Sequence, residues 1–118
     1  MAKFKESDTF EIKIFVGLKD LYTGKTFPYE VVEQEILEYV KIHKMCITLT
    51  KTRFIYVNGS ENGVIVGLIN YPRFPKSRPS LETKALNLSL FLKDRFKQKR
   101  LSVMCPDKTR MLYTQGDE

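Results

Sequence analysis

The stretch Thr9–Asp20, "TFEIKIFVGLKD", decides the fold. Phe10, Ile12, Ile14, Val16 and Leu18 fall on one side of an extended chain, with Glu11, Lys13 and Lys19 on the other. A period of two with one apolar side is the mark of a half-buried strand. Phe15 breaks the pattern by standing on the polar side. The next segment, "LYTGKTF", reads as a turn centred on Gly24.

Outward from that strand the period changes. Residues 28–44, "PYEVVEQEILEYVKIHK", place Val32, Ile36 and Val40 on one helical face, flanked by Tyr29, Leu37 and Tyr39. Pro28 suits a first turn. Glu30 and Glu33 lie near the positive end of the helix dipole, and Lys41, His43 and Lys44 near the negative end. "MCITLT" and "RFIYV" read as one strand interrupted near Lys51-Thr52 by a bulge. "NGSENG" reads as a turn carrying the favoured pair Asn62-Gly63, and "VIVGLINY" as the returning strand of a hairpin. A second helix is expected over 79–98, capped by Ser77 or Ser80, with Leu81, Ala85, Leu88 and Leu92 as its buried stripe. "LSVMC" is a further strand, "PDKT" a turn, and "RMLY" an optional last strand.

The order β-α-β-β-α-β defines an α+β class, a ferredoxin-like sandwich with an antiparallel sheet and an optional extra C-terminal strand. A chain of 118 residues is one domain, 1–118, with loose ends expected at about 1–8 and 114–118. Both helices cover one face of the sheet, so the other stays open unless a partner covers it. A homo-oligomer is the expected consequence.

Twenty Lys and Arg against fourteen Asp and Glu leave a net charge of +6, which favours anionic partners. The charge concentrates in "NYPRFPKSRPS", residues 70–80, which has no acid. Arg73, Phe74, Lys76 and Arg78 in this proline-stiffened loop are candidate ligand contacts, joined by Arg53, Arg110 and Phe15. Arginine pairs bidentately with phosphate, and aromatic rings stack on bases. The expected partner is an anionic small molecule, a nucleotide or cyclic nucleotide, with nucleic acid as the second reading and an acidic protein surface as the third.

Catalysis looks poorly supplied. The single histidine, His43, falls at a helix end, and Cys46 and Cys105 lack metal spacing or a neighbouring base. No metal, P-loop or nucleophile-elbow motif is present, so neither a catalytic residue, a metal nor a cofactor is expected. An enzyme of ferredoxin-like type is the least favoured reading. The N-terminus has no apolar run of signal-peptide kind and no segment approaches a membrane span, so a cytoplasmic protein is expected.

The run "IKIFVGLKD", the turn ending "NGV" and the junction "QKRLSV" together resemble small phage and prophage proteins. Those begin with a KIFVGLND-like strand and close with an NQES-V-like junction. The resemblance implies sequestration or inhibition without catalysis, in the host cytoplasm, one form of which is a sponge for nucleotide immune signals similar to the Thoeris anti-defence sponges. It transfers no binding residue.

Overall fold

The computed structural model describes all 118 residues. The strands are β1 (Glu11–Gly17), β2 (Thr48–Tyr56), β3 (Gly59–Ile69), β4 (Arg100–Met104) and β5 (Thr109–Tyr113), with helices α1 (Tyr29–His43) and α2 (Arg78–Arg95). They form one antiparallel sheet in the order β2-β3-β1-β4-β5. That is the ferredoxin-like arrangement, with β5 added at the edge beyond β4.

The core lies between the sheet and the helices. Ile12, Ile14 and Val16 of β1 are wholly buried, as are Val64 and Val66 of β3 and Val32 of α1. Leu68 of β3, Leu101 and Val103 of β4 and Ile36 of α1 are nearly so. On α2 the buried Leu81, Ala85, Leu88 and Leu92 recur at helical spacing. Burying each large apolar side chain contributes roughly 1.5–3 kcal/mol, so this face, rather than intrinsic propensity, holds the helices. Ser77 caps α2, its hydroxyl oxygen accepting the N–H of Ser80 at 3.3 Å. Pro28 is the extended residue before α1 and makes no side-chain cap.

The β2–β3 hairpin departs from the sequence reading. Its register runs unbroken from Thr48 opposite Gly67 to Tyr56 opposite Gly59, so Lys51-Thr52 carries no bulge. The chain reverses at Val57-Asn58, and Asn62-Gly63 lies within β3. The physical reason is cross-strand pairing. Phe54 packs over Gly63, where a Cβ would come within 2.2 Å of the ring, and Arg53 donates to Asn62 and Ser60 at 2.8 and 2.7 Å. These contacts draw a polar segment that looks like a loop into the ladder. Residues 59–62 extend past the end of β1, so the hairpin projects as an arm. No helix is long and apolar enough to cross a membrane.

Candidate functional site

Strand pairing assigns the open face residue by residue. Phe15 stands in one row with Ile65, Thr50, Ser102 and Met111, and Gly17 lies opposite Gly63 and Thr52. Phe54 and Glu61 face each other one step further along the arm. Together with Gln98 they bound a cavity of about 250 Å³ at the Gly17 end of the sheet.

Gln98 is held there by the chain that follows α2. Lys97 adopts a left-handed conformation, φ 51°, which turns the backbone out of the helix. The Gln98 N–H then donates to the Lys93 carbonyl at 3.0 Å. Its Nε2 donates to the carbonyls of Lys19 and Phe96, each at 2.8 Å. Carbonyls only accept, so the amide orientation is determined and Oε1 is the end left facing Gly17. Gln98 is 3% exposed.

Glu61 meets it from the other side. Its Oε2 is buried without a hydrogen-bond partner. Both acceptors crowd the space above Gly17, where a Cβ would lie 2.7 Å from Gln98 Oε1 and 3.0 Å from Glu61 Oε2. Arg100 also borders the cavity, but its guanidinium donates to the Asp117 carbonyl at 2.9 Å and does not pair with Glu61. An orphaned carboxylate oxygen beside a second acceptor, walled by Phe15 and Phe54, is suited to a cationic or N–H-donating ligand.

The residues singled out in the sequence do not converge on one place. Phe15 alone lies on the open face at this cavity. Arg53 sits on the opposite side of the hairpin arm, engaged by Asn62 and Ser60. Arg110, opposite Val103 on the edge strand, also turns toward the helix side. Arg78 donates to the carboxylates of Glu82, at 2.9 Å, and Asp107. Arg73 is exposed, while Phe74 and Lys76 border a separate hollow near the start of α2. Glu61, Gln98 and Phe54 escaped the sequence reading. Glu61 lies in a stretch that reads as turn, and one signal points to it: with the reversal at Val57-Asn58, it falls opposite Phe54.

No protein-family model matches the sequence, and no curated protein matches it. The fold is similar to two solved phage proteins. One is a phage SAM lyase in complex with S-methyl-5'-thioadenosine, with a TM-score of 0.78 and 19% identity over 98% of this chain and 97% of that one. The other is a phage SAM lyase in its apo state, with a TM-score of 0.73 and 20% identity over 90% of each chain. At this identity the shared property is the fold.

The likeness overturns the expectation of a non-enzymatic protein, because both neighbours are enzymes. The reading of sequestration without catalysis falls with it. The open-face cavity presents both a carboxylate oxygen without a hydrogen-bond partner, on Glu61, and the guanidinium of Arg100, which is bound only to a backbone carbonyl.

Proposed function

We propose that this protein binds S-adenosylmethionine on the open sheet face and cleaves it to S-methyl-5'-thioadenosine. The observation that carries the reading is the buried, unpartnered Glu61 Oε2 beside Gln98 in a cavity walled by two phenylalanines. The whole-length fold likeness to phage SAM lyases supports it. The substrate is a sulfonium cation that also carries an ammonium group. Glu61 accepts the ammonium through a charge-assisted hydrogen bond. Phe15 and Phe54 offer ring faces to the sulfonium.

The chemistry asks little of the protein beyond binding. The bond between sulfur and the γ-carbon breaks, and its electron pair stays on sulfur as the neutral thioether. The substrate's own carboxylate oxygen forms the new bond to that carbon, closing a lactone, and no proton moves. Charge disperses as the sulfonium becomes a thioether, so an apolar aromatic wall favours the transition state over the charged ground state. This accounts for an active site with neither histidine nor metal cluster.

The homo-oligomer belongs to the same reading. Ile55 and Val57 at the tip of the hairpin arm are 81% and 99% exposed, and the open face carries the half-exposed Phe15 and Ile65. Packing the arm of one copy against the open face of another buries both surfaces and closes the cavity from water.

The test is incubation of the purified chain with S-adenosylmethionine labelled in the amino-acid carbons, followed by mass spectrometry and carbon NMR. Equal amounts of thioadenosine product and lactone are expected. Unchanged substrate, together with no heat of binding in calorimetry, would overturn the proposal.

A further inference from the structure

The basic loop is not absorbed by the open-face reading, and the structure folds it over a second hollow at the opposite end of the sheet. A cavity of about 340 Å³ lies between the end of α1, the end of β3 and the first turns of α2. Met45, Leu68, Leu81 and Phe74 form much of its apolar lining. Tyr71 packs against Phe74 with ring centroids 5.5 Å apart, adding an aromatic wall. Lys44, Lys76 and Lys84 supply its cations, and no acidic side chain lines it.

Each of these pieces has a local cause. Lys44 ends α1 in a left-handed conformation, φ 52°, with its N–H on the Val40 carbonyl. The loop is pinned by the Asn70 side chain. Asn70 Oδ1 accepts the Lys76 N–H at 2.8 Å, and its Nδ2 donates to the Asp8 carbonyl at 2.9 Å. The prolines at 72, 75 and 79 restrict the remaining freedom. None of the three lysines forms an ion pair within the chain. The one loop cation that is neutralised, Arg78, lies outside the cavity lining. The cavity volume falls within the range of small-molecule sites, which combine an apolar lining with a few polar groups that orient the ligand.

We infer that this cavity is a second binding site, for a small amphipathic carboxylate with an aromatic or aliphatic body. The apolar body fills the space beside Phe74 and Leu81, and the carboxylate head meets the lysines. Lysine is a flexible point charge without the planar fork of arginine, so the site selects for negative charge and for the shape of the apolar body rather than for a bidentate geometry. It is separate from the Glu61 cavity, shares no lining residue with it, and stands or falls without the cleavage proposal.

The probe pair is 2-naphthoate and its neutral counterpart 2-naphthamide, titrated into the full chain by calorimetry and by NMR of labelled protein. Naphthoate is expected to bind at least about fivefold more tightly than the amide at low salt, from two weakly screened ion contacts. The amide signals of Met45, Tyr71, Lys76 and Lys84 should shift, with those of Phe15 and Ser102 unmoved. Lys44→Gln, Lys76→Gln and Lys84→Gln together should abolish the preference for the acid while naphthamide still binds, which also shows that the variant is folded. Glu61→Gln should leave naphthoate affinity unchanged. Equal affinity for the two probes, a preference that survives the triple substitution, or shifts confined to the open face would each overturn the inference.

Discussion

A Cβ placed on Gly17 would stand 2.7 Å from Oε1 of Gln98. The amide cannot simply swing away, because Nε2 is tied to two backbone carbonyls and the side chain is buried. Gly17→Ala is therefore expected to destabilise the fold by about 1–3 kcal/mol through overpacking. It should also displace Gln98 from the cavity and weaken substrate binding. Urea unfolding and calorimetry with S-adenosylmethionine check the two effects separately.

Glu61 brings to the open-face site a carboxylate oxygen that is buried without a hydrogen-bond partner. Glu61→Gln keeps the shape and removes the charge. Losing a charge-assisted contact of about 1.5–3 kcal/mol should lower kcat/KM for S-adenosylmethionine cleavage by roughly ten- to a hundredfold. Thermal stability should hold or rise, since an unpaired carboxylate is no longer buried. A variant with full activity would remove Glu61 from the site.

Asp20 gives the fold an acid-sensitive turn. Burial alone would raise its carboxyl, but the N–H groups of Tyr22 and Thr23, donating to Oδ1 at 2.9 and 3.1 Å, outweigh it and hold the value below the ordinary 3.8. A depressed carboxylate stabilises the folded chain above its unfolded value and loses that contribution as pH falls through the folded one. Asp20→Asn should accordingly flatten the decline in melting temperature below about pH 4. Thermal scans across an acid series compare the two slopes, and parallel slopes would refute the assignment.

Arg78 is engaged by Glu82 and Asp107 at the surface. Partly exposed ion pairs contribute little, so Arg78→Ala should cost less than about 1 kcal/mol, with the loss shrinking in high salt. Cleavage of S-adenosylmethionine should be unaffected. A large drop in activity would return this arginine to the ligand site.

Ile55 and Val57 project from the hairpin arm almost fully exposed. Charge there should block packing between copies. Ile55→Lys with Val57→Lys is expected to run in light scattering at the single-chain mass of 13.8 kDa, with wild type at a multiple of it. Wild type at the single-chain mass would sink the oligomer.

Much of the fold was legible because short-range pattern and long-range packing agree. The two-residue period of Ile12, Ile14 and Val16 and the helical spacing of Leu81, Ala85, Leu88 and Leu92 each reflect a buried face. Phe15 was also readable as an open-face residue, since alternation alone assigns its side. The hairpin was misread where composition and pairing disagree. Ser60, Glu61 and Asn62 look like loop, yet they pair with Ile55, Phe54 and Arg53 across the ladder. Acid–base groups are sparse in the sequence, and the cleavage we propose, loss of a neutral thioether from a sulfonium, needs few of them.

The sequence by itself determined the α+β class, the element order and which faces are buried, because apolar periodicity is a local property set by the geometry of helix and strand. Only the tertiary structure decided the sites. Gly17, Glu61 and Gln98 are far apart in the chain, and no local pattern relates them. They meet because β3 pairs with β1 while the turn after α2 delivers Gln98 to the Lys19 carbonyl. The same holds for the charges of the basic loop: ion pairing neutralises Arg78, and Arg53 and Arg110 point to the other side of the sheet from Phe15. A count of cations along the chain cannot say which remain free, because pairing depends on distances of a few ångströms that folding alone creates.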